Sequence, residues 1–192
     1  MKTTSLKERY KQEIVPVMRE KFGYKNVHAV PALKKIVVNS GVGKMINAKR
    51  GKDSAGSEES VVADLVNEFA LIVGQKPRII RAHKSISGFK LREGMIAGVS
   101  ATLRGQRMYD FLTRLIHIAF PRMRDFRGFE KKSVDQRGNM TIGVSEQIIF
   151  PEIPHDKVRQ MWGMEISLAT NAKNREEGIA LLTELGILFQ KA

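Results

Sequence analysis

Between residues 5 and 22 the apolar positions Leu6, Tyr10, Ile14, Met18 and Phe22 recur every fourth residue, which is one face of a helix. Pro16 removes a backbone donor inside that stretch. It predicts either a kink or a second helix carrying Pro16 in its first turn. The short β-branched run at 33–39 predicts a strand that leaves into the tight turn Ser40-Gly41-Val42-Gly43. Residues 47–57 are polar and glycine-containing and predict an exposed loop. A helix then starts near Ser57, a good N-cap with Glu58 and Glu59 in its first turn. Its stripe is Val62, Leu65, Val66, Phe69, Ile72 and Val73, and Gly74 ends it.

The rest of the chain alternates short strands with helices. Residues 78–82 predict a strand and 83–96 a loop with glycines at 88 and 94. In 97–104, Val99, Ala101 and Leu103 face one way and Ser100, Thr102 and Arg104 the other, the pattern of a half-buried antiparallel strand. A helix over about 106–120 carries Met108, Leu112, Leu115, Ile116 and Ala119, and Pro121 is expected to close it. Residues 121–138 have no sustained period and predict a long basic loop. Further strands are predicted at 140–144 and 164–170, with a loop between Pro151 and Pro154. The last helix starts at Asn174, with Glu177 three residues on, runs through Ile179, Leu182 and Leu185, and stops at Gly186. The pattern is α+β: a mainly antiparallel sheet with helices packed on one face. The other face is expected to be open and basic.

Composition narrows the function. The 192 residues contain no cysteine, which excludes disulfide staples, a thiolate nucleophile and cysteine-zinc sites. The expectation is one domain over 1–192 with extended basic loops at about 82–95 and 121–138. The start is polar throughout and no apolar run is long enough to span a bilayer, so the expected compartment is cytoplasmic. Lys plus Arg number 33 against 20 Asp plus Glu, a net charge of +13. That balance favours a polyanionic partner. The charge is concentrated. Residues 76–92 hold six cations and no acid, and 104–137 hold nine cations against four acids.

Catalytic patterns are missing. His28, His83, His117 and His155 form no H-x-x-x-H or H-E-x-x-H pair, so no metal site is expected; His117 reads as a flank of the core. Gly41-Val42-Gly43-Lys44 is similar to the end of a phosphate loop. Yet Val38 stands where that loop needs glycine, and Met45 where it needs Ser or Thr. Two readings of the turn stay open: an ordinary turn, or backbone amides facing an RNA phosphate. No G-x-S-x-G elbow occurs. Arg127-Gly128-Phe129 starts like an RNA-recognition signature, but Glu130 and Lys131 break it.

Seven blocks then occur in order: NSGVGK at 39–44, GQKP at 74–77, KSISGFKLREG at 84–94, LRGQRMYDFL at 103–112, PRMRDFRG at 121–128, SEQIIFPEI at 145–153 and NAKNREEG at 171–178. Together they resemble the large-subunit ribosomal protein five family across nearly the whole chain. The stretch 49–59 is longer than the family's usual form. The resemblance implies a structural constituent of the large ribosomal subunit, with no cofactor and no catalytic residue. It implies 5S ribosomal RNA as a partner, attached with this protein's help to 23S ribosomal RNA. It also implies peptidyl-site transfer RNA and small-subunit protein thirteen as partners, and neither a membrane nor a second copy of the chain. On the matching blocks it places Asn39, Gly41, Gly43, Lys44, Gln75, Lys76, Phe89 and Thr102 toward 5S RNA. It places Lys84, Ser85, Lys90 and Arg92 on a loop that reaches the transfer RNA. A nucleic-acid-processing enzyme would need a carboxylate cluster or a histidine pair. A membrane-surface protein would need a cationic amphipathic helix with exposed large apolar residues, for which only the first helix offers itself.

Overall fold

The computed structural model describes residues 5–43, 56–124, 126–153, 158 and 160–190, with the backbone alone over 56–61. Five strands form an antiparallel sheet: β1 (Leu33–Gly41), β2 (Arg78–Arg81), β3 (Ile96–Leu103), β4 (Met140–Val144) and β5 (Met164–Thr170). Their order is β2-β3-β1-β5-β4. With its helices the chain is α+β, as its patterning predicts. By contacts the chain divides into two compact units. The first comprises 1–37, 103–142 and 166–192, and the second 38–102 and 143–165.

In the first unit the N-terminal helix is two pieces, α1 (Leu6–Arg9) and α2 (Val15–Phe22), joined by a π-helical turn at Tyr10–Ile14. Pro16 stands directly after the π turn, whose wider winding accommodates a residue with no backbone donor. Ser5 and Glu8 form a capping box on α1. Leu6, Ile14, Val15 and Met18 are buried. The next helix, α3, belongs to the second unit. In the first unit again, α4 (Gly105–Arg114) runs through a second π turn, Leu115–Ala119, into α5 (Phe120–Arg122). Pro121 therefore does not close the helix as expected. It stands directly after the π turn, whose wider winding lets the helix pass a residue that has no backbone donor. His117, expected beside the core, is exposed on this helix. The period-free segment that follows is anchored by rings. Phe126 and Phe129 pack on buried Phe120 with centroids 5.2 and 5.0 Å away. Phe129 also bridges to Phe189 near the C-terminus. The last helix, α6 (Arg175–Glu184), starts at Asn174, whose side chain accepts the Glu177 amide at 2.9 Å. The Glu177 carboxylate reaches one residue beyond the cap, to the Lys173 amide.

In the second unit, α3 (Gly56–Val73) starts one residue before the expected cap and ends at Gly74, whose φ is +78°. Of the predicted stripe Val62, Leu65, Phe69, Ile72 and Val73 are buried and Val66 is half-buried. Phe69 stacks on Trp162 at 5.9 Å, and the Trp162 indole N–H donates to Glu68 at 2.8 Å. Gln147, fully buried, is satisfied by the 160–162 segment. Its Nε2 donates to the Gln160 carbonyl and its Oε1 accepts the Trp162 amide, both at 2.8 Å. A buried amide with both ends bonded fixes one arrangement of these segments.

Candidate nucleic-acid interface

Strand alternation decides what the second unit presents. On β1, Val38 and Ser40 are buried while Asn39 is half-buried and Gly41 exposed. On β3, Val99, Ala101 and Leu103 point inward, and Ser100 and Thr102 outward. Register pairs Arg78 with Ser100, so the exposed Arg78 shares the outward side. The outward strand residues here include Asn39, Gly41, Ile80, Ser100, Thr102, Gly143 and Glu165, with Arg78 as a cation among them. In this unit the outward strand residues are therefore mostly small and polar, with less basic charge than expected. The reason is geometric: most of the basic charge lies off the strands.

A shallow groove of about 390 Å³ lies at the ends of β1, β4 and β5, lined by Asn39, Gly41, Gly143, Val144, Ser145, Gly163, Met164 and Glu165. Gly41 and Gly143 open onto free space, and a Cβ on either would meet nothing within 4 Å. Gly163 differs: a Cβ there would come 2.8 Å from the Val144 carbonyl, so only glycine lets these segments approach. Ser40 Oγ donates to the Gly163 carbonyl at 2.7 Å and ties β1 to the start of β5. The groove thus offers an amide, a hydroxyl, bare backbone and one carboxylate on a rigid frame. Such a surface suits recognition of ribose hydroxyls, base edges and shape.

Of the residues singled out from sequence, Asn39 and Gly41 line the groove. Gly43 is half-buried just beyond β1, and Lys44 lies outside the described residues. Gln75 Nε2 donates to the Thr102 carbonyl at 3.2 Å, so these two are brought together at the end of β3. That bond gives Gln75 a structural task as well. Lys76 is exposed. Sequence reasoning missed Gly143, Ser145, Gly163 and Glu165. Ser145 lies in a quoted block, but only strand pairing brings it to Asn39.

Residues 82–95 form a hairpin finger. The Ala82 amide donates to the Met95 carbonyl, the Gly94 amide donates to the Ala82 carbonyl, and Ile86 and Leu91 exchange a pair of backbone bonds, all at 2.8–3.1 Å. Ser85 Oγ accepts the Glu93 amide at 3.0 Å, and Arg81 donates to the Gly94 carbonyl at 3.0 Å. A 3₁₀ turn, Ser87–Phe89, makes the tip, and Lys90 follows it in the left-handed region at φ 51°. Lys84, Lys90 and Arg92 are exposed. Phe89, 69% exposed, sits at this tip among those cations. Its place is with the finger residues rather than with Asn39 and Gly41.

Among the described residues no group of three or more His, Cys, Asp or Glu could hold a metal. No helix among them is long and apolar enough to cross a membrane.

The comparisons with known proteins agree in direction. A family model described as "Ribosomal protein L5" matches residues 26–92, and a second model, described as the C-terminus of the same ribosomal family, matches residues 96–189. The chain is 50% identical over 188 residues to the large ribosomal subunit protein uL5c of Tetradesmus obliquus, covering 98% of this chain and 99% of that protein.

Proposed function

The chain belongs to the ribosomal protein L5 family and is a structural constituent of the large ribosomal subunit, not an enzyme; from that premise we propose that its second unit binds 5S ribosomal RNA and helps attach it to 23S RNA. In the same reading the 82–95 finger touches peptidyl-site transfer RNA, and the protein bridges to small-subunit protein thirteen. The observation that carries the 5S assignment is the groove. It gathers small side chains, bare strand ends and the Asn39 amide on a frame fixed by Ser40 and Gln147. A structured RNA is held by such a surface through its shape and 2′-hydroxyls, with phosphate contacts from Lys76 and Arg78 beside it. The finger supplies charge with no base-reading groups in a fixed array. One loop has to accept every transfer RNA, so backbone phosphates are its natural target.

The test is binding of purified protein to 5S RNA across a salt series. With about five phosphates neutralised, log affinity should fall against log salt with a slope of roughly −3.5 to −4.5. Asn39→Ala and Thr102→Ala should each weaken binding about tenfold, the ~1.4 kcal/mol of one lost hydrogen bond. Circular dichroism should be unchanged in both. Gln75 is a poor probe, because its replacement also removes the bond to Thr102. Wild-type affinity in both variants, or a flat salt response, would overturn the assignment.

A further inference from the structure

The groove at the ends of β1, β4 and β5 holds one group that a phosphate-binding surface should lack. Glu165 is exposed on β5 and lines the groove with Asn39, Ser145 and the glycines 41, 143 and 163. Its described lining residues include no Lys or Arg. The side chains of Asn39, Ser145 and Glu165 are engaged by no hydrogen bond or ion pair among the described residues. A carboxylate only accepts hydrogen bonds, and it repels phosphate, whose oxygens also only accept. In a chain of net charge +13 this acid therefore selects, from a polyanion, a surface made of donors.

The donors of RNA are its ribose hydroxyls and the N–H groups of its base edges. Guanine sets two of them side by side, N1–H and N2–H, on its Watson–Crick edge. That pair meets both oxygens of a carboxylate, as a guanidinium does. Adenine and cytosine place a ring-nitrogen acceptor beside the amino group, and uracil flanks its N3–H with two carbonyls. Each of these turns an acceptor toward the second carboxylate oxygen. Guanine also carries the acceptor O6 next to N1–H, and the groove supplies donors for it in the Asn39 amide and the Ser145 hydroxyl. A Cβ on Gly41 or Gly143 would meet nothing within 4 Å, so the strand ends leave open the room in which a flat ring can lie against backbone.

We propose that Glu165 is a specificity-determining residue of this groove, reading the Watson–Crick edge of one unpaired guanine of 5S RNA while Asn39 or Ser145 donates to its O6. This assignment rests on the 5S reading and names the group that fills its groove. A guanine paired in a duplex has these donors engaged already, so the target lies in a loop, a bulge or an end.

The probe is 5S RNA treated with kethoxal, which attacks N1 and N2 of unpaired guanines, the two donors in question. One guanine that reacts in free RNA should be protected by the wild-type protein. It should stay reactive in RNA saturated with Glu165→Gln protein, while other protections persist. The affinity of that variant should fall about ten- to hundredfold, the range of one bidentate base contact. The direction is diagnostic, because removing an acid adds one positive charge and charge alone would tighten binding to RNA. Glu20→Gln, exposed in the first unit, should leave affinity level or slightly higher. The salt slope of Glu165→Gln should match wild type, since no phosphate contact is lost. Equal or tighter binding by Glu165→Gln, with Asn39→Ala still weakened, overturns the assignment and leaves the 5S reading standing. So does a loss of affinity with guanine protection unchanged, the mark of a ribose hydroxyl or a bridging cation in the place of the base. Wild-type protein that binds no 5S RNA overturns both readings. Should Glu165→Gln fail to fold, the wild type still decides. Replacing the protected guanine by inosine, which lacks the N2 amino group, should weaken its binding about tenfold. No protected guanine, or undiminished affinity for the inosine RNA, overturns the assignment.

Discussion

The turn at 134–140 in the first unit and the finger at 82–95 in the second are made of similar material: glycine, small polar residues and exposed cations. They are held in different ways. In the turn, Asp135 Oδ1 accepts the Arg137 and Asn139 amides and Oδ2 accepts the Asn139 side chain, all at 2.8 Å. Asn139 Oδ1 then accepts the Thr170 amide, and Thr170 Oγ1 donates to the Gly138 carbonyl, both at 3.0 Å. Gly138, at φ +75°, lies directly against Gly178 of α6. Asp135 bonds within the turn and fixes its shape, while Asn139 and Gly138 tie it to Thr170 of β5 and Gly138 packs on Gly178 of α6. The finger's backbone pairs run between its own two arms, with Arg81 at its base donating to the Gly94 carbonyl, and Lys84, Lys90 and Arg92 are exposed. A loop fastened to its surroundings serves the fold, whereas a loop bonded to itself can carry charge outward at little cost to the fold.

The largest effect should come from Gly178→Ala. Within a helix this change ordinarily stabilises by about 1 kcal/mol. Here the new Cβ would overlap the Gly138 Cα, which is backbone and cannot step aside. The variant should lose about 3 kcal/mol or more, read from the midpoint of urea unfolding. Gly88→Ala in the finger, where a Cβ meets nothing within 4 Å, should move that midpoint by less than about 0.5 kcal/mol. A stabilised Gly178→Ala protein would erase the contrast between the two loops.

Neutralising the finger should give the reverse pattern. Lys84→Gln, Lys90→Gln and Arg92→Gln together should leave the unfolding midpoint and 5S binding nearly intact. Transfer RNA should leave the peptidyl site of assembled ribosomes about tenfold faster, and similarly for different transfer RNAs, as expected of three exposed phosphate contacts. Equal dissociation rates, or loss of 5S binding instead, would move the finger to another partner.

Acid should separate the loops more gently. Burial pushes the Asp135 carboxyl up, but the bonds from Asn139 and Arg137, with the Arg137 charge, outweigh it and hold the group below its ordinary 3.8. A depressed carboxylate pKa contributes stability that is present above the unfolded value and is lost as pH falls through the folded value. Wild type should therefore exceed Asp135→Asn in thermal stability at pH 7. The gap should close as pH falls below about 4. A gap that widens in acid would mean the carboxylate does not hold the turn's shape.

The elements were legible in the sequence because each follows from local periodicity. The stripe Val62 to Ile72, the alternation 97–104 and the Asn174 cap all reappear. What was hidden depends on pairing across the chain. Ser145, Gly163 and Glu165 join Asn39 only because β4 and β5 end beside β1. The two π turns leave no periodic signature at the scale of a few residues, so Pro121 read as a terminator. The rings at 126 and 129 lie in a stretch with no period, and only Phe120 shows what they pack on. The family resemblance was strong because seven blocks keep their order, a signal that no single block carries.

The smallest effect concerns Lys90, the non-glycine residue with positive φ among the described residues. A side chain in the left-handed region costs about 1 kcal/mol, and glycine would relieve it. Glycine's extra freedom in the open state takes part of that back, leaving a net gain of roughly 0.5–1 kcal/mol. The finger can open without unfolding the rest, so the gain should not appear in the global midpoint. It should appear in amide exchange at Ile86 and Leu91, the residues that pair across the tip, as protection raised about two- to fivefold in Lys90→Gly. The same variant removes one cation and should speed transfer RNA release modestly. Lys90→Asn separates the two causes, since asparagine tolerates this conformation while lacking the charge. It should match the glycine variant in release rate and fall between wild type and glycine in protection. A finger that loosens in Lys90→Gly would show that the lysine side chain itself holds the tip together, and that this loop is fastened by its cation rather than presenting it.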